Sequence, residues 1–402
     1  MRYTLTGAAT LLLSASPLLA GGIERAPQSL SPLFEDGNYA ELSFGGVDPT
    51  VEGKDRTPAA AGGPYNTGDV AQGYGFVGLA YKHQFTPSIS GAIIIEQPFG
   101  ADIRYPTQPG AIPDPGQDGS LLLGGTSAKV DSTTFTALGR YKFQNNFSVH
   151  GGIRGSRADG KVSLNGAAYG PVAGYSVDLD TDTAVGWVAG AAWEKPEIAA
   201  RVSLTYNSEV EHEFDTTESG PLVDPDGAGP LPALPLLTGT SMTKVKTPES
   251  WNLEFQTGVA PDTLVFGSIR WVNWSEFRVD PRNFTAVTGG GLVSLEDTTT
   301  YTLGVGRKFT DAWSGSASFT YEKAGNDLVS PLAPTNGRKG ITLAAIYTRD
   351  NMKITTGVNY TKLGDARPET GTPDTARADM KGNADMKGND AWGVGMRIGY
   401  SF

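Results

Sequence analysis

Five arginines set out most of the chemistry this chain can offer. Arg140, Arg154, Arg201, Arg270 and Arg397 each lie in a stretch where apolar and polar residues alternate, and each falls on the polar side. The alternation is less clean at Arg270, where Val272 and Trp274 share its face. A guanidinium presents a rigid fork of N–H donors that grips a carboxylate through two parallel bonds. Each arginine is therefore a candidate contact for a carboxylate ligand, or else a brace for acidic neighbours such as Glu254 and Glu276. Catalytic groups are sparse. The histidines are His83, His150 and His212, and no Gly-x-Ser-x-Gly elbow accompanies them, so a hydrolase would need a dyad assembled across strands. The chain has no cysteine, which excludes a disulfide framework and thiolate metal sites, and no cofactor or metal is expected. The net charge of -11 argues against nucleic acid as a partner, and the acidic residues crowd into segments that read as loops.

The alternation defines the elements that carry these side chains. In the last eleven residues Trp392, Val394, Met396, Ile398, Tyr400 and Phe402 share one face, while Gly393, Gly395, Arg397, Gly399 and Ser401 share the other. One side of such a strand suits lipid and the other a wet lumen, with aromatics at the interface. The pattern recurs at 134–143, 201–206, 300–309, 313–321, 341–347 and 354–360. Short polar turns appear at Thr86-Pro87-Ser88, Gln144-Asn145-Asn146, Lys195-Pro196, Ala260-Pro261-Asp262, Thr310-Asp311 and Asp350-Asn351. Between them lie longer stretches rich in Gly, Pro and Asp near 53–71, 105–125, 165–176, 215–242, 284–293, 325–338 and 364–387. Six short turns alternating with seven long loops imply fourteen strands, short turns at one end and long loops at the other. The predicted fold is all-β, a transmembrane antiparallel barrel over 39–402.

Met1-Arg2, the apolar stretch from Leu5 to Leu19 and the small Ala20 have the layout of a secretory signal peptide, removed after residue 20. No later window approaches the run of about 18 apolar residues that a membrane helix needs. An exported chain without a spanning helix can cross a membrane only as a closed sheet, because lipid leaves no partner for an unpaired backbone group. Ala378 to Asn383 is followed at once by an identical hexapeptide, Ala384 to Asn389, which reads as a local duplication in the last long loop.

Three segments resemble the FadL-type transporters of bacterial outer membranes: Glu96-Gln97-Pro98-Phe99-Gly100-Ala101; Thr247-Pro248-Glu249-Ser250-Trp251-Asn252-Leu253 leading to Trp271-Val-Asn-Trp274-Ser275-Glu276-Phe277; and the spacing of Thr298 to Gly306, Trp313 and Tyr321. The resemblance implies passive, ligand-gated uptake of long-chain fatty acids or similar hydrophobic molecules and no enzymatic activity. It implies fourteen strands and an amino-terminal plug, or hatch, inside the barrel. Residues 21–38 would fill that place through Gly21, Gly22, Ile23, Leu33 and Phe34, although the Asn-Pro-Ala signature usual there is absent. A loose periplasmic tail is the other reading of this stretch. The resemblance also implies a lateral gate where the third strand kinks, at Gln97, Pro98, Phe99 and Gly100: Pro98 removes a ladder donor and Gly100 permits unusual dihedrals. An ordinary bulge would leave the same trace.

For a lipophile in such a lumen, burying each methylene contributes about 0.8 kcal/mol, so ten contribute roughly 8 kcal/mol gross. A carboxylate–Arg contact adds about 1.5–3 kcal/mol. Apolar lining would thus supply affinity and one of the five arginines orientation. The tract Gly229-Pro-Leu-Pro-Ala-Leu-Pro-Leu-Leu237 offers Leu231, Leu234, Leu236 and Leu237 as an outer capture groove, or as packing on the barrel rim. Expected surroundings are outer-membrane lipids and lipopolysaccharide around a monomer. A lipase-like barrel enzyme, a general diffusion porin and an adhesin are the competing readings.

Overall fold

The computed structural model describes residues 23–26, 28–110, 114–224, 233–371 and 381–402. Residues 1–20, expected as a leader, and Gly21, Gly22 and Leu231 lie outside the described residues. Fourteen antiparallel strands close into a barrel. They are β1 (Tyr39–Thr50), β2 (Tyr74–Gln84), β3 (Ile89–Glu96 and Gly100–Arg104), β4 (Ser127–Lys142), β5 (Phe147–Leu164), β6 (Tyr175–Lys195) and β7 (Ala200–Asn207 and Val210–Ser219). The circuit continues with β8 (Gly239–Thr247 and Ser250–Ala260), β9 (Thr263–Val272), β10 (Thr298–Lys308), β11 (Trp313–Glu322), β12 (Arg338–Arg349), β13 (Met352–Leu363) and β14 (Asp390–Ser401). β1 pairs with β2 on one side and with β14 on the other, Tyr39 opposite Ser401, so no barrel edge is left open.

All six short turns fall where the sequence places them. The long connections differ at two points. β7 runs on to Ser219 and β8 starts at Gly239, so the loop expected over 215–242 is shorter. Its missing part is strand because Thr216 and Glu218 point inward and are buried while Glu211, Glu213 and Asp215 point out. The connection after β9 is longer than 284–293 and holds a short helix, α1 (Arg282–Thr288).

Outward side chains form the apolar belt that the alternation predicts. Ile153, Leu303, Leu343 and Val394 are all more than half exposed. Aromatic pairs bound the belt above (Trp187–Tyr206, Tyr206–Trp251, Tyr360–Trp392) and below (Tyr141–Phe143, Trp313–Tyr347). On β11 the belt runs from Trp313 to Tyr321; at about 3.3 Å per residue that is roughly 26 Å, the height of an outer-membrane hydrocarbon band. Above it the outer faces turn charged, with Lys161–Asp178, Lys244–Glu213 and Lys246–Glu209 pairs.

The long loops pack over the outer mouth in one apolar cluster that includes Val51, Tyr105, Leu123, Phe284, Leu332 and Met386. The second copy of the duplicated hexapeptide is part of this cap. Ala384–Met386 pairs with Gly53–Asp55, and Asn389 Oδ1 accepts the Glu52 N–H at 3.0 Å.

Candidate functional site

The described amino-terminal residues pack against buried side chains of the barrel strands, Leu33 and Phe34 among Ala80, Ile94, Leu138 and Val188. Pro32 starts a 3-10 turn over Ser31–Phe34 that buries Leu33 and Phe34. Phe34 is held between two lumen arginines, Arg140 and Arg201, each guanidinium 4.6 Å from its ring centroid, with His150 edge-on at 5.7 Å. Below it, Lys82 donates to the Glu35 carbonyl and Lys353 lies 3.8 Å from the Glu35 carboxylate. These contacts tie the segment to the periplasmic half of the lumen before it enters β1.

Its upper end meets the interruption in β3. Glu96 opposes Thr134 and Gly100 opposes Asp131, so Gln97, Pro98 and Phe99 face only Ser132 and Thr133: the strand bulges. Ser132 Oγ repairs part of the β4 ladder, accepting from the Phe99 N–H at 3.1 Å and donating to its carbonyl at 2.7 Å. On the other side the β2–β3 ladder runs from Gln84↔Ser90 to Leu79↔Ile95 and then stops. It resumes only at the Ala71–Ile103 bridge, with Arg104 N donating to the Val70 carbonyl at 2.7 Å. Over the interval between, the Val77 N–H bonds the Gln97 side chain at 3.3 Å instead of a β3 carbonyl.

The freed groups of β3 pair inward. Arg25 N donates to the Pro98 carbonyl at 2.6 Å, Gly100 N donates to the Ile23 carbonyl at 2.8 Å, and Glu24 sits opposite Phe99. Ile23, Glu24 and Arg25 thus take the place that β2 holds lower down. Gly100 matters here for a reason other than the expected one: it leaves room for the Arg25 side chain. Its φ is not in the left-handed region; instead a Cβ on it would lie 2.3 Å from the Arg25 guanidinium carbon. Arg25 bonds Asp131 at 3.2 Å and stacks 4.6 Å over the Tyr74 ring, bridging the interval from inside. Phe99 turns into the lumen against Trp274, centroids 5.9 Å apart.

Arg140, Arg154, Arg201 and Arg270 are buried and Arg397 is half-buried, while Glu276 sits exposed in the β9–β10 connection, away from all five. Arg140 pairs with Glu194, and Arg397 with Glu41 at 3.2 Å. Arg154 bonds Thr136 and Asn207 at 3.1 and 3.0 Å and has one Nη without a hydrogen-bond partner. Glu254 accepts from Ser29 of the amino-terminal segment at 2.9 Å. Arg270 engages Glu24, which sequence reasoning missed; the available signal was an acidic residue in a short stretch otherwise nearly free of charge.

At the outer end, a cleft of about 530 Å³ is lined by Tyr169, Phe284, Leu292, Leu328, Arg367 and Glu369, among others. Leu234, Leu236 and Leu237 are not part of this lining. Leu234 and Leu236 are exposed on their loop, and Leu237 is buried in the cap cluster.

His212 Nδ1 lies 2.9 Å from Asp182, and Nε2 lies 3.3 Å from Ser156 Oγ, a hydroxyl–imidazole–carboxylate line. Ser156 and His212 are both buried, 2% and 1% exposed. The line braces β5, β6 and β7. His150 bonds Thr205 at 3.0 Å and supports Phe34.

A closed barrel with a lipid-facing belt, a capped outer mouth and a segment threaded through its lumen defines an outer-membrane barrel of the transport class. Residues 50–402 match the family of outer membrane transport proteins (OMPP1/FadL/TodX), and the chain belongs to that family. No curated protein matches the sequence. Among solved structures it is similar to a Pseudomonas aeruginosa FadL homologue (17% identity, 95% of this chain and 96% of that one, TM-score 0.67). It is also similar to the Pseudomonas putida toluene transporter TodX (10% identity, 92% of each chain, TM-score 0.60) and the Ralstonia pickettii toluene transporter TbuX (10% identity, 95% of each, TM-score 0.57). At these identities the likeness is one of fold.

Proposed function

We propose that the chain carries long-chain fatty acids or similar hydrophobic molecules inward across the outer membrane without an energy source, and releases them sideways through the wall between β2 and β3. The single observation that carries this reading is the exchange of partners at the bulge: β3 leaves β2 and pairs with Ile23–Arg25. A wall interval closed by a non-covalent stopper needs far less to open than a continuous ladder, and it faces lipid, where a lipophile belongs. The segment from Gly21 to Asn38 acts as hatch, after removal of residues 1–20 as a leader. Leu231, Leu234 and Leu236 serve with the cleft around Tyr169 and Leu292 as first contact for substrate, Leu237 anchoring their loop. Arg140 and Arg201 hold Phe34, Arg397 braces the wall, and Arg154 and Arg270 are the lumen arginines offered to a ligand carboxylate. The charged outer faces above the aromatic belt meet lipopolysaccharide head groups, around a monomer.

Uptake of labelled laurate and toluene by cells with and without the gene tests this reading. Faster uptake of at least one of them in cells with the gene is expected; equal rates for every hydrophobe tried would remove the transport role. The porin reading is disfavoured by the cap and the threaded segment.

A further inference from the structure

We propose that Glu24 is a built-in substitute for the carboxylate of the transported molecule, so that Arg270 works as a carboxylate-selective latch on the wall gap. The proposal rests on the transport reading above and narrows its substrate class to amphiphiles carrying a carboxylate.

All five N–H donors of Arg270 are engaged. Nε points at both Glu24 oxygens (2.9 and 3.1 Å), Nη2 bonds Glu24 and Gln28, and Nη1 bonds Ser250 at 3.0 Å and Asn252 at 2.5 Å. Arg270 is 5% and Glu24 7% exposed. This is the fork geometry in which a guanidinium recognises a carboxylate. The carboxylates on Arg140 and Arg397 come from barrel strands, whereas the one on Arg270 comes from the amino-terminal segment. Glu24 is also the residue opposite Phe99, with its neighbours Ile23 and Arg25 supplying the bonds that close the gap. One side chain therefore couples occupancy of Arg270 to closure of the wall.

The coupling selects by charge. A ligand carboxylate can take over the donors that Glu24 releases, leaving Arg270 paired throughout. An uncharged hydrophobe cannot, because displacing Glu24 would strand a buried guanidinium without an anion, which is strongly unfavourable. Glu96, fixed on β3, is near enough to feel the charge of Arg154 and Arg270 but accepts none of Arg270's hydrogen bonds, so the donors a ligand carboxylate must win are the ones Glu24 holds. The unpartnered Nη of Arg154 gives that anion a first foothold.

The test uses the full mature chain in phospholipid nanodiscs, as wild type and as Glu24→Gln. Hydrogen exchange at residues 23–26 is followed with laurate, with methyl laurate and with neither, and binding of each labelled compound is measured separately. Laurate should speed exchange by about tenfold or more and methyl laurate should not, while Glu24→Gln should exchange fast without ligand. Heat-modifiable gel mobility checks that each barrel is folded. Equal effects of the two compounds, or slow exchange in folded Glu24→Gln, overturn the latch and leave transport standing. No binding of either compound also overturns the latch, while the transport reading falls only on the uptake assay above.

Discussion

Phe34 is the main anchor of the amino-terminal segment at its lower end, and Phe34→Ala measures what holds that segment in place. The ring is 5% exposed and lies between two guanidiniums at 4.6 Å. Truncating a buried Phe costs about 3–5 kcal/mol, and two desolvated cation–π contacts add roughly 1 kcal/mol or more. A loss of about 4–6 kcal/mol raises the detached fraction by a factor of at least about 10³. The barrel should not notice, because Arg140 keeps Glu194 and Ser148 and the β4–β5 ladder is untouched. The assay is hydrogen exchange: residues 31–38 should lose protection while β4, β5 and the thermal transition of the barrel stay as in wild type. Phe34→Leu keeps most of the apolar volume without a ring face and should lose only about 1–2 kcal/mol of protection. Protection of residues 31–38 in Phe34→Ala within about threefold of wild type would refute the assignment of Phe34 as anchor.

Two further perturbations follow from named contacts. Gly100→Ala should push the Arg25 guanidinium off Asp131 and Tyr74; with Asp131 half exposed the loss is about 1–2 kcal/mol, read as roughly 5–30-fold faster exchange at residues 23–26, and unchanged exchange would show that the close approach carries no energy. In the outer cap, Arg56 bonds Asp385 through Nε and Nη2 at 2.9 Å each and holds that carboxyl below the usual carboxylate range. Its folded pKa is therefore below the unfolded one, so the contribution is present at neutral pH and is lost as pH falls below about 4. Both side chains are about a third exposed, which limits the effect to less than about 1 kcal/mol, and proteolysis of residues 381–386 between pH 7 and 3 should lose its pH dependence in Asp385→Asn.

What the sequence made legible follows from how locally it is written. Strand parity, the six tight turns and the aromatic ends of strands repeat within a few residues, so β11, β12 and β14 could be read directly. Pro98 announced a break in β3 because a missing donor is a property of one residue. What fills the break was not legible, since Ile23–Arg25 carry no periodicity and meet Phe99 only through the closure of the whole barrel. Glu24 was missed for that reason. Arg270 was found by parity, but parity cannot say which carboxylate it meets. The upper half of β7 reads as loop because, above the membrane, outward positions such as Glu211, Glu213 and Asp215 are charged and the apolar half of the alternation disappears. The leucine tract drew attention as exposed apolar sequence, whereas the cleft at the outer end is lined from four separate connections, with Tyr169, Phe284, Leu328 and Arg367 brought together only by folding.

The central claim is that substrate leaves through the wall where the amino-terminal segment stops the gap in β3. Glu24 and Phe99 face each other as the non-hydrogen-bonded pair of that short ladder, the geometry in which opposed Cα and Cβ atoms come closest, and the chain has no cysteine of its own. A Glu24→Cys, Phe99→Cys chain can therefore be locked and unlocked by oxidation and reduction alone. Laurate uptake by cells carrying it should fall to the level of cells without the gene when the pair is oxidised, and recover on reduction. Equal uptake in the two states, with the cross-link verified, would contradict the account.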